Sequence, residues 1–154
     1  MDPAAPPPQE SLAFALHRAT VLVDRAADLF LRSRHDLSYP LFSVLLLIGH
    51  NDRPTQREIA DMLGVSRASI TQRVAELTRR GLIVTQPSPV DARALNLSLT
   101  PAGGALLTAA WQDLESTEDG IDDGIDVAPL IRQLDTITAN ADAFIRTLQQ
   151  EGKA

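Results

Sequence analysis

Apolar residues recur along this chain at helical spacing, and prolines separate one run from the next. Leu12, Leu16, Ala19, Val23, Ala26 and Phe30 step by four, three, four, three and four residues, which predicts a first helix over about residues 9–33. Ala15, Leu22 and Leu29 form a second stripe beside it, so this helix carries more apolar surface than a core behind one face covers. A second helix is expected from Ser38 to Gly49, with Pro40 tolerated in its first turn and an apolar run, "LFSVLLLI", that implies burial nearly all round. Thr55-Gln-Arg-Glu58 reads as a capping box opening a third helix, which Gly64 ends through a left-handed cap. Ser66 caps a fourth helix running to about Arg80, before Gly81 stops it.

Two short strand-like runs follow, "LIVTQ" and "ALNLSL", around the turn "PSPVDAR". Leu95, Leu97 and Leu99 alternate with Asn96 and Ser98, the pattern of a half-buried ribbon. Thr100-Pro101 then starts a fifth helix, expected to carry Ala105, Leu106, Ala109 and Trp111 to Leu114. A sixth begins near Asp126 and keeps its period through Val127, Leu130, Leu134, Ile137, Ala141, Phe144 and Leu148. The class expected is mainly α with a small β-hairpin wing (α+β). Its order of helix, Gly-containing turn, helix and two strands is that of a winged helix-turn-helix. Residues 1–8, with four prolines, are expected to form a disordered tip, and 9–154 a single domain. Within it, 37–100 would be the winged helix-turn-helix lobe. The two-sided helices of 9–36 and 101–154 would form a dimerisation region.

Charge sharpens this picture. The net charge is −6, yet residues 53–93 hold seven Arg, no Lys and four acids, a local +3. Residues 113–126 hold seven acids and no basic residue. A basic centre between acidic arms is the footprint of a small, focused nucleic-acid contact rather than of indiscriminate coating. The start "MDPAAPPPQE" lacks the basic and apolar regions of a secretory signal, and no apolar run is long enough to span a bilayer, so a cytoplasmic location is expected. Without cysteine there is no disulfide, thiolate metal site or nucleophilic thiol. No Gly-rich phosphate loop, nucleophile elbow or His-Glu-x-x-His occurs either, and the chain reads as a non-enzyme without a cofactor.

Winding the fourth helix at about 100° per residue gathers Ile70, Val74 and Leu77 on one side. Ala68, Gln72, Ala75 and Arg79 then face outward, flanked by Arg67 and Thr71 on one edge and by Ser69, Arg73 and Glu76 on the other. This face suits a DNA major groove: Arg donates two hydrogen bonds to guanine, Gln pairs with adenine, and an Ala methyl meets a thymine methyl. Ser66 and the free amides of the first turn suit a phosphate. At the wing tip, Arg93 suits the narrow minor groove, with Asp91 placed to hold it beforehand. The DNA-binding residues predicted are therefore Ser66, Arg67, Ala68, Ser69, Thr71, Gln72, Arg73, Arg79, Asp91 and Arg93.

The segments "TQREIADMLGVSRASITQRVAELTRRGLI" and "DARALNLSLTPAG", with an Asp-x-Arg wing and a Leu-Thr-Pro-x-Gly helix start, resemble the multiple-antibiotic-resistance regulator (MarR) family of bacterial repressors. The resemblance implies an obligate homodimer whose first, fifth and sixth helices form the platform. It also implies double-stranded operator DNA with a palindromic sequence, and a small aromatic or phenolic effector held between platform and DNA lobe. Near that expected pocket stand Tyr39, Arg32, Arg34 and Trp111, the arginines as partners for a ligand carboxylate and the aromatics as ligand contacts or core packing. The alternative is a winged-helix module that dimerises or binds protein without DNA affinity. Salt separates the two, because only phosphate contacts release counterions. His17, His35 and His50 have no metal-ligand spacing, and "EDGIDDGID" places Ile121 and Leu130 where a calcium loop needs oxygens, so neither predicts a metal site.

Overall fold

The computed structural model of the chain describes residues 11–87 and 95–152. These residues form α1 (Leu12–His35), α2 (Tyr39–His50), α3 (Gln56–Leu63), α4 (Arg67–Arg79), β1 (Ile83–Pro87), β2 (Leu95–Leu99), α5 (Pro101–Ser116) and α6 (Val127–Glu151). The wing tip expected to present Asp91 and Arg93 lies outside the described residues.

Local chemistry sets the boundaries. Ser38 accepts from the Leu41 amide and admits Pro40 in the first turn of α2. Thr55 and Glu58 form a reciprocal capping box: the Thr55 amide donates to Glu58 Oε2 at 2.7 Å, and the Glu58 amide donates to Thr55 Oγ1 at 3.3 Å. Gly64, at φ 63°, ends α3 in the left-handed region that a side chain would strain. Ser66 accepts from the Ser69 amide to start α4, and Thr100 accepts from the Gly103 amide to start α5.

β1 and β2 pair antiparallel with Ile83 opposite Leu99, Thr85 opposite Leu97 and Pro87 opposite Leu95. The hairpin is anchored beside α3, because the Leu97 amide donates to the Pro54 carbonyl at 2.9 Å and Thr55 bridges Asn96. One core runs through this arrangement. Phe42, Val44, Leu45 and Ile48 of α2 meet Ile59 and Ala60 of α3, Ile70, Val74 and Leu77 of α4, and Leu97 of β2. Each large apolar side chain taken fully out of water contributes roughly 1.5–3 kcal/mol.

Burial departs from the apolar pattern at three places. In α1 only Leu31 is buried, a residue on neither predicted stripe, while Leu12, Val23 and Leu29 stand exposed. In α5 the inward face is Gly103, Leu107 and Ala110. Ala105 and Ala109 are exposed and Leu106 is half-buried. The cause is a close approach at Gly103: a Cβ there would lie 1.9 Å from the Leu82 carbonyl oxygen, so only glycine lets α5 turn this side to the core. In β2 Leu97 alone is fully buried, and Leu95 is exposed.

The chain divides into two compact units, residues 1–117 and 118–154. The first holds the winged helix-turn-helix with α1 and α5. In the second, turns at Gly120 (φ 70°) and Gly124 (φ 76°) lead through the acidic segment into α6. No helix among the described residues is long and apolar enough to cross a membrane.

Candidate nucleic-acid interface

The helical-wheel reading of α4 holds residue by residue. Ile70 and Leu77 are 0% exposed and Val74 is 4%, which fixes the rotation of the helix against the core. Arg67, Ala68, Thr71, Gln72, Ala75 and Arg79 are exposed on the outer side, with Ser69, Arg73 and Glu76 half-buried at its edge. The Ser66 hydroxyl accepts from the Ser69 amide at 3.2 Å, which leaves its own proton free to donate at the helix N-terminus.

Two of the expected contact residues are already engaged. Arg79 donates to both oxygens of Glu76, from Nε at 3.0 Å and from Nη2 at 2.7 Å. That fork holds the Glu76 carboxyl below its ordinary range and raises the guanidinium. The Thr71 hydroxyl lies 3.0 Å from both the Arg67 carbonyl and Gln56 Oε1. Arg67 and Arg73 form no ion pair among the described residues, and Gln72 no side-chain hydrogen bond. Gln56 was absent from the sequence-derived set. Its signal was its place at the first position of α3, beside the start of α4, which becomes visible only once the two helices cross.

The four residues expected near an effector divide into two groups. Tyr39 stacks on Phe42 and Phe42 on Trp111, each with ring centroids 6.3 Å apart, and His50 lies tilted against Trp111 at 6.4 Å. Phe42 is buried, whereas Trp111 keeps 43% of its surface exposed at the end of the row. Burial, then the Asp24 carboxylate, pushes the Tyr39 phenol up. Arg32 reaches this row indirectly: it donates to Asp28 at 2.7 Å, and Asp28 accepts from the Tyr39 amide at 2.8 Å. These two contacts hold the Asp28 carboxyl below its usual range. Arg34 instead covers the Phe30 ring at 5.5 Å. Phe42 is expected from the sequence only as part of a buried run; its place in an aromatic row follows from the meeting of α2 and α5, far apart in the chain. No group of three or more His, Cys, Asp or Glu side chains able to hold a metal occurs among the described residues.

A helix-turn-helix that turns a polar, Arg-bearing helix outward beside a two-stranded wing is the working part of a winged-helix DNA-binding regulator. The model of the MarR family matches residues 35–94. Over 115 residues the chain is 30% identical to the uncharacterized HTH-type transcriptional regulator YdcH of Bacillus subtilis strain 168, covering 72% of this chain and 78% of that protein. It is 32% identical over 92 residues to a putative transcriptional regulatory protein for the hcr operon of Thauera aromatica, covering 60% of this chain but only 55% of that protein. Among solved structures it resembles the transcriptional repressor CouR bound to a 23-mer DNA duplex, at 32% identity, TM-score 0.72 and coverage of 86% and 94% of the two chains. It also resembles CouR of Rhodococcus jostii RHA1 bound to p-coumaroyl-CoA, at 25% identity, TM-score 0.77 and coverage of 89% and 96%. The chain belongs to the MarR family and is a DNA-binding transcriptional regulator; the relatives it matches are regulators, not enzymes.

Proposed function

We propose that this protein is a homodimeric, ligand-responsive repressor of a palindromic operator. The carrying observation is the sidedness of α4: its apolar residues are fixed in the core, and Ala68, Gln72 and Arg67 present small and hydrogen-bonding groups outward. Each recognition helix enters a major groove, with Ser66, Arg67, Ala68, Ser69 and Gln72 at its leading end and Arg73 and Arg79 along its sides. On sequence grounds Arg93, steadied by Asp91, supplies the minor-groove contact of the wing. Residues 37–100 form the DNA lobe, and 9–36 with 101–154 the dimerisation region. DNA-bound CouR, at 32% identity, supports the operator reading.

The effector proposed is a small aromatic or phenolic compound that meets the Tyr39–Phe42–Trp111 row, with Arg32 or Arg34 meeting its acidic group. The row's exposed Trp111 end and the CouR relative bound to p-coumaroyl-CoA support this class. The row spans α2 and α5, so a ligand there would bias the angle of the DNA lobe and hence half-site spacing. Selection of duplexes from a randomised pool at moderate salt tests the reading. A palindrome with half-sites about ten base pairs apart is the expected result. A pool that stays random, with folded protein, would reject it.

A further inference from the structure

The geometry points to Gln56 as a DNA phosphate contact, and to Thr71 as the residue that positions it rather than as a base reader. This rests on the operator reading above and adds a residue that the recognition helix does not contain.

The Thr71 hydroxyl has one proton and two acceptors at 3.0 Å, the Arg67 carbonyl and Gln56 Oε1, and so donates to both as a three-centre bond. This leaves the hydroxyl little to offer a base. It also fixes the Gln56 carboxamide, whose oxygen is held against α4 while its Nε2 donors have no partner among the described residues. The backbone under Gln56 is equally fixed. Thr55 before it is locked in the capping box and bridged to Asn96, and Pro54 accepts from the Leu97 amide. Ile59 and Ala60, a turn later, are packed in the core.

The result is a preoriented pair of N–H donors on half-buried Gln56, beside the exposed residues Arg67 and Thr71 of the proposed DNA face. In a helix-turn-helix the first helix crosses the sugar-phosphate backbone while the second enters the groove. Gln56 is the first residue of that first helix. Glutamine side chains are ordinary phosphate donors, and such contacts set register without carrying sequence information. Being neutral, Gln56 releases no counterion when it binds, which separates its signature from that of an arginine.

The test is a double-mutant cycle on the full chain with Gln56→Ala, Thr71→Val and the pair, titrated with the selected operator and a scrambled duplex over a range of salt. Gln56→Ala should weaken both duplexes by a similar factor, on the order of five- to tenfold as for one hydrogen bond, and leave the salt slope unchanged. Thr71→Val keeps the side chain's shape but releases the carboxamide. It should weaken binding to a lesser degree, and the double variant should bind no worse than Gln56→Ala alone. Gln56→Glu, which sets a carboxylate against the phosphate, should lose more than Gln56→Ala. Thermal midpoints close to wild type show that each variant folds. The inference is overturned if Gln56→Ala binds within twofold of wild type, if its effect is confined to one base position, or if the two single losses multiply. Wild-type protein binding neither duplex would instead overturn the operator reading itself.

Discussion

Glu76 places a negative charge on the side of α4 proposed to meet DNA, and its fork to Arg79 decides what that arginine would contribute. Both side chains are solvated, so the pair adds little to stability. Its effect is on the field seen by an approaching phosphate: Arg79 is charged, but its donors are pointed at a carboxylate. Replacing Glu76 with Gln removes one negative charge and frees the guanidinium. We expect Glu76→Gln to raise affinity for scrambled DNA several-fold, narrow the margin over the operator, and steepen the salt dependence by about one phosphate's worth. Salt titrations of both duplexes measure this. An unchanged slope would mean that Arg79 lies outside the DNA contact. The helical wheel places Arg79 on the outward side, where it is exposed, but does not reveal its partner, because spacing of three residues permits an ion pair without fixing which rotamer forms it. Thr71 likewise lies on the exposed side that the wheel predicts, and only the crossing of α3 over α4 shows its hydroxyl shared between Gln56 and the Arg67 carbonyl.

At the scale of the element, caps were the most legible feature, since each depends on a few neighbouring residues. Thr55 with Glu58, Gly64, Ser66 and Thr100-Pro101 stand where the sequence set them. The buried face of α5 is set by Gly103 packing on the Leu82 backbone, a tertiary contact that no periodicity contains. Leu31 escaped for a related reason: α1 meets the core only near its C-terminal end, so its long stripes describe a different surface. The capping box also carries a pH dependence. The Thr55 amide, then its hydroxyl, holds the Glu58 carboxyl below its ordinary range. A depressed folded value means that the ionised Glu58 adds stability above the unfolded value, and that this part is lost as pH falls through the folded one. Glu58→Gln should therefore lower stability near neutrality, by less than the roughly 1 kcal/mol expected for loss of the Thr55 cap itself. It should also flatten the fall in stability below about pH 5. Urea unfolding of wild type and variant at neutral and acidic pH tests this. An equal loss of stability on acidification in both would dismiss the role of Glu58.

For the whole molecule, the decisive quantity is the apolar surface that the described chain leaves uncovered. In α1, Leu12, Leu22 and Leu29 are 61%, 53% and 61% exposed; in α6, Phe144, Ile145 and Leu148 are 63%, 51% and 51%. None of the 25 residues of α6 is buried, and a helix gains most of its stability by packing an amphipathic face. Scattered exposed leucines need no explanation, but periodic stripes along both terminal helices are the kind of surface a partner would cover. A second copy is the occupant that also suits the DNA reading, since a two-fold axis would set two α4 helices about 34 Å apart, one turn of the duplex. Binding through both half-sites then multiplies affinity by on the order of 10²–10⁴ over a single lobe. Phe144→Asp combined with Leu148→Asp should yield a monomer whose helix-turn-helix remains folded yet loses operator affinity by a factor in that range. It should also give a single half-site footprint. Sedimentation equilibrium together with footprinting reads both effects. A wild-type chain that sediments as a monomer while protecting both half-sites would break the link between these stripes and DNA recognition. A variant that stays dimeric would shift the interface away from α6.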